Sequence, residues 1–118
     1  MSKYHAVRTT IDGITFDSKR EAARYSELKL LELAGEITSL TVHPRFLLAD
    51  GFNIDGKGGR VRPIYYIADF KYLEGDDSFD SYIVEDVKGG KATQTAVFKL
   101  KAKLFRARYP EYELRIVK

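Results

Sequence analysis

The stretch Tyr65-Tyr66-Ile67-Ala68-Asp69-Phe70-Lys71-Tyr72, joined through Gly75-Asp76-Asp77-Ser78 to Ser81-Tyr82-Ile83-Val84-Glu85-Asp86-Val87-Lys88, decides how this chain folds. Both arms are rich in aromatic and β-branched residues and the connection is turn-rich, so the pair reads as two strands of a hairpin. Charge falls where burial makes it costly. Asp69 interrupts one apolar arm, and Glu85, Asp86 and Lys88 end the other. A carboxylate in a buried strand is destabilising unless it is paired, hydrogen-bonded or metal-bound.

Side chains alternate across a strand, so Asp86 and Lys88 point the same way, about 7 Å apart along it, and Glu85 points the other way. One register sets Asp69 opposite Asp86, with Ile83, Glu85 and Val87 facing Tyr72, Phe70 and Ala68. A slip of one residue sets Glu85 beside Asp69 and turns Asp86 and Lys88 away. Both registers are open at the level of sequence.

Facing carboxylates about 5 Å apart repel by roughly 1 to 3 kcal/mol, a cost that a divalent cation removes. Oxygen ligands suit Mg2+ or Mn2+, which bind through one or two carboxylates plus waters and substrate phosphate oxygens. A lysine beside them is placed to position water or to neutralise charge developing on a phosphate. The same pattern also describes a hairpin whose charges lie on a solvated edge.

Asp69, followed after a hairpin by Asp86-Val87-Lys88, resembles the PD-(D/E)XK nuclease signature. Three segments in order, Phe16-Asp17-Ser18-Lys19-Arg20-Glu21-Ala22, Tyr66-Ile67-Ala68-Asp69-Phe70 and Val84-Glu85-Asp86-Val87-Lys88-Gly89, are similar to a family of small phage and prophage proteins of that superfamily. The likeness covers most of the chain and departs from the superfamily's name at Ala68, where the signature has proline. It implies an α/β fold with a restriction-endonuclease-like αβββαβ core, a mixed central sheet flanked by helices and an N-terminal β-ribbon. It also implies Mg2+-dependent or Mn2+-dependent DNA cleavage. Asp69, Asp86 and Glu21 would hold the metal, and Lys88 and Lys101 would complete the catalytic set. The layout resembles archaeal-type Holliday junction resolvases as well, which implies branched DNA as substrate and a homodimer.

The 118 residues are sufficient for one domain with one modest core. Composition is ordinary for a globular protein, with 44% hydrophobic and 31% charged residues. No apolar run reaches the ~20 residues of a membrane span, the first residues lack a signal-peptide core, and cysteine is absent, which excludes disulfides and thiolate zinc sites. A cytoplasmic protein is the expectation. Net charge is +3, so any nucleic-acid contact depends on where the basic residues fall rather than on their excess.

Upstream of the hairpin, Tyr4 to Phe16 reads as a β-ribbon turning at Asp12-Gly13. Ser18 caps a helix that Gly35 closes, with Ala22, Tyr25, Leu28 and Leu31 as its apolar stripe. Glu21 is three residues after Ser18, where a capping box would bond it back to the Ser18 amide; the nuclease likeness gives it a place at the metal instead. After Ile37, Leu40 and Val42, Arg45-Phe46-Leu47-Leu48 reads as the first strand of the main sheet. Neither His5 nor His43 falls in a metal-binding spacing, and neither is assigned to the site.

The glycine-rich run Asp50 to Arg60 reads as a loop between strands, with Arg60 and Arg62 as candidate phosphate contacts. Beyond Gly89-Gly90-Lys91, Thr93 or Thr95 caps a second helix ending before Pro110. Its buried face is expected to be Val97, Phe98, Leu100, Leu104 and Phe105, and Lys99, Lys103 and Arg106 form a basic stripe which, with Lys91, is a candidate DNA contact. Lys101 falls within the apolar face, where an amine must snorkel or meet a negative group, and Gln94 is a second candidate from this helix. Glu113 to Val117 alternates as a last strand. A non-catalytic module that binds DNA or a phage replication protein through its basic helix is the competing expectation.

Overall fold

The computed structural model describes residues 7–56, 58–75, 81–89 and 94–118. A ribbon of β1 (Thr9–Ile11) and β2 (Ile14–Phe16) turns at Asp12 and Gly13, both at positive φ, and leads into α1 (Lys19–Leu33). Ser18 caps that helix, its Oγ accepting from the Glu21 amide at 3.1 Å. The other end closes as a Schellman motif, with Glu36 N–H donating to Leu31 C=O and Gly35 N–H to Glu32 C=O. Gly35 takes φ +79°, which a Cβ would make costly.

Four strands form the main sheet in the order β10 (Tyr112–Val117), β9 (Ser81–Val87), β8 (Phe70–Glu74), β3 (Ile37–Val42). The sheet is mixed: β3, β8 and β9 run antiparallel in turn, and β10 is parallel to β9. The parallel pair is connected by α2 (Ala96–Arg108), capped by Thr95, whose hydroxyl accepts from the Phe98 amide. Two short antiparallel pairs lie outside this sheet: β4 (Arg45–Ala49) with β7 (Ile64–Ile67), and β5 (Phe52–Asn53) with β6 (Arg60–Val61). Arg45-Phe46-Leu47-Leu48 is therefore not the first strand of the main sheet. That place belongs to Ile37–Val42, and the His43-Pro44 turn carries the chain out into the separate β4–β7 pair.

The expected hairpin arm from Tyr65 to Tyr72 breaks at Asp69, where β7 ends and β8 begins. Past the break the pairing is Phe70 to Glu85, Lys71 to Val84 and Tyr72 to Ile83, the first of the two registers. It sends Phe70, Tyr72, Ile83 and Val87 into a core under α1, together with Phe16, Tyr25 and Leu28. Val84 goes to the other face, into an aromatic core with Phe46, Tyr66 and Phe105 under α2. Buried on both faces, β9 has five consecutive buried residues, as a central strand should.

One expectation for α2 fails. Its buried side is Phe98, Ala102, Phe105 and Tyr109, spaced at four, three and four residues, whereas Val97, Leu100 and Leu104 are 63%, 58% and 38% exposed. The apolar residues wrap more than half the helix, and the flat aromatic side won the sheet. Among the described residues, no helix is long and apolar enough to cross a membrane.

Candidate active site

Adjacent residues of β9 send two acids in opposite directions. Glu85, fully buried, faces α1, where Arg24 forks onto it, Nε donating to Oε1 at 2.8 Å and Nη2 to Oε2 at 2.6 Å, and the Tyr72 hydroxyl adds a third bond. The pairing drives the Arg24 guanidinium further up its already high range. This acid is fully engaged in joining helix to sheet.

Asp86 points to the other layer, where the Tyr66 hydroxyl donates to its Oδ2 and Lys88 Nζ is 3.1 Å from its Oδ1. Lys88 in turn lies over the Phe98 ring, 4.4 Å from its centroid, which holds the amine at the cleft. Carried one residue past Phe70 and Glu85, the register sets Asp69 across from Asp86. Hydrogen bonds on either side of Asp86 agree: the Asp69 amide donates to Glu85 C=O at 3.1 Å, and the Val87 amide donates to Asp69 Oδ2 at 2.6 Å.

Burial pushes the Asp69 carboxyl up to about 8, helped by the charges of Asp86 and Glu21 and opposed by the Val87 amide and Lys88. Burial and the Asp86 charge likewise raise the Tyr66 phenol, so it remains a hydrogen-bond donor. Glu21 reaches this place from the first turn of α1, and burial raises its carboxyl too. Its cap bond runs to the Asp17 amide at 3.2 Å, one residue before the Ser18 amide expected. One carboxylate oxygen thus serves the helix start while the group still meets Asp69.

All five residues expected to be catalytic, Glu21, Asp69, Asp86, Lys88 and Lys101, line one cleft of about 350 Å³ between the helices, with Asp17 and Tyr66 beside them. Lys101 is there because the exposed flank of α2, with Val97, borders the cleft, rather than because it interrupts a buried face. Gln94 instead lines a neighbouring groove of about 250 Å³ with Lys99, Lys103 and Arg106. At 100° per residue that basic stripe is on the far flank of the helix from Lys101. Arg60 bonds to Asn53 within the β5–β6 hairpin, Arg62 is exposed beyond it, and neither lines the cleft. Lys91 lies outside the described residues.

His43, which sequence spacing assigns to no site, stands beside two of the acids in the structure. Glu21, His43 and Asp69 each present a ligand atom, all within 4.8 Å of one another. No spacing signal could have found this trio, because its members come from a helix start, a turn and a strand break. The acids fit a cation by their own electrostatics: burial resists the ionisation of both Glu21 and Asp69, and at Asp69 the charges of Asp86 and Glu21 add to that cost.

Over its whole length, residues 1–118, the chain matches the family described as "Protein of unknown function (DUF1064)". The chain belongs to that family. No curated protein and no solved structure matches this DUF1064 chain.

Proposed function

We propose that this DUF1064 chain is a divalent-metal-dependent DNA endonuclease of the PD-(D/E)XK type, with branched DNA as the first substrate to test. The observation that carries the reading is the meeting of Glu21, Asp69, Asp86, Lys88 and Lys101 in one cleft. The element order α1, β3, β8, β9, α2, β10 supports it as well, because it follows the αβββαβ core expected of a restriction-endonuclease-like fold.

Asp69, Asp86 and Glu21 are the oxygen donors for Mg2+ or Mn2+. Bound there, the ion supplies Lewis-acid polarisation of a phosphoryl oxygen. Lys88 is held at the Asp86 carboxylate and over Phe98, and its amine is fixed where charge develops on a phosphate in the pentacovalent transition state. Lys101, from α2, adds a second cation to the cleft. Tyr66 holds Asp86 in place through its hydroxyl, acting as a positioning residue. The basic flank of α2 and Arg60, Arg62 and Lys91 are the DNA contacts, and a homodimer supplies the surface that a chain of this size lacks for gripping a duplex.

Incubation of the purified protein with linear, nicked and four-way DNA, with and without Mg2+ or Mn2+, tests the reading. Metal-dependent cleavage abolished by Asp86→Ala supports it. Tight binding without cutting of any substrate would favour a DNA-binding module on the same fold.

A further inference from the structure

We infer that His43 is a nitrogen ligand of the metal site and biases it toward a first-row transition ion over Mg2+. The inference rests on the nuclease reading above and names the cofactor class that this cleft takes. Glu21, His43 and Asp69 offer one imidazole nitrogen and two carboxylate oxygens within 4.8 Å of one another. Asp86 stands differently. It is outside that trio, with Oδ2 accepting from the Tyr66 hydroxyl and Oδ1 3.1 Å from the Lys88 amine, and each oxygen keeps a lone pair for the same ion.

The turn that holds the imidazole is tied to the acid it accompanies. His43 N–H donates to the Asp69 carbonyl at 2.9 Å, which fixes the two residues to each other through their backbones. The ring is 5.9 Å from the Phe16 ring by centroids, at 56°, so one side rests on the core while the residue itself remains exposed. His43 takes φ 54°, a region that histidine, like asparagine, enters more readily than most residues, and core packing does not call for an imidazole at an exposed turn. What sets the imidazole apart from asparagine at this turn is its nitrogen donor beside two carboxylates.

Ligand chemistry then sets the preference. Mg2+ takes oxygen donors and sheds water reluctantly, whereas an imidazole nitrogen favours the transition series. A site in which an imidazole joins the carboxylates therefore holds Mn2+ or a later ion more tightly than Mg2+.

Pulsed electron paramagnetic resonance of the full chain with Mn2+ as probe reads this without any activity measurement. Bound Mn2+ is expected to show nitrogen modulation that is lost in His43→Asn and retained in His5→Asn. Calorimetry is expected to show Mn2+ affinity falling at least about tenfold in His43→Asn, the loss that even a group hydrogen-bonded to a ligand produces. Asparagine tolerates the left-handed turn, and circular dichroism checks that the variant folds. Mn2+ bound with no nitrogen signal, or with a signal that survives His43→Asn, overturns the inference and leaves an all-oxygen nuclease site standing. Failure of the wild-type chain to bind Mn2+ at all overturns both the inference and the nuclease reading.

Discussion

Arg24 and Glu85 meet through two parallel hydrogen bonds of 2.8 and 2.6 Å, across the interface between α1 and the sheet. Asp86, the next residue, faces the opposite layer. Glu85→Ala leaves the largely buried Arg24 guanidinium with Glu27 as its remaining acid and is expected to destabilise the fold by about 3 kcal/mol, read as a lower denaturant midpoint. Asp86→Asn is expected to leave that midpoint unchanged or raised without metal, since it relieves Asp69 of a facing charge, while metal-dependent cleavage is lost.

The Asp69 carboxyl ties stability to pH in an unusual direction. Its folded-state value of about 8 is above its ordinary 3.8, so between those limits the folded chain holds a proton that the unfolded chain releases. Without metal, stability should then fall as pH rises through this window, by up to about 1.4 kcal/mol per pH unit from this group. Added Mn2+ should raise the melting temperature more at pH 8 than at pH 5. Thermal melts over that range with and without the ion check both statements.

Glu21 has two tasks that substitutions can separate. Ser18→Ala removes the hydroxyl that caps α1 and is expected to cost about 1 kcal/mol with metal affinity intact. Glu21→Gln keeps an oxygen for the Asp17 amide but removes the charge, so the melting temperature should hold while metal affinity and cleavage fall. Equal loss of stability from both variants would show that Glu21 is a cap and nothing more.

The two flanks of α2 should fail differently. Lys101 lines the cleft, so Lys101→Ala is expected to lower the cleavage rate at saturating DNA. Lys99, Lys103 and Arg106 line the other groove; replacing all three by alanine should weaken DNA binding and reduce the salt slope by about 3, with the rate at saturation kept. Filter binding across a salt series, beside single-turnover cleavage, distinguishes them.

Much of this was legible in the residues because two periodicities carry it. Alternation along Ser81 to Val87 places Glu85 and Asp86 on opposite faces, and caps at Ser18 and Gly35, with Thr95 as one of two candidates, mark both helices. The register is not legible in the residues, since either pairing satisfies the same apolar pattern; the pairing of Phe70 with Glu85 decides it. The buried side of α2 departs from the expected one because its apolar residues cover too wide an arc for periodicity to choose among them. His43 was illegible for a deeper reason: its distance from Glu21 is set by a turn and by one backbone bond to Asp69, and neither leaves a trace in residue spacing.

Three backbone tethers converge on Asp69: its amide on Glu85, its carbonyl on His43, and its Oδ2 on the amide of Val87. Among the described residues only Oδ1 is left untied to the main chain, so on the nuclease reading the residue would meet a cation as a rigidly held donor. An ion held in that way would keep coordination positions for exchangeable ligands, and it could be loaded and unloaded as substrate comes and goes without the strands having to part.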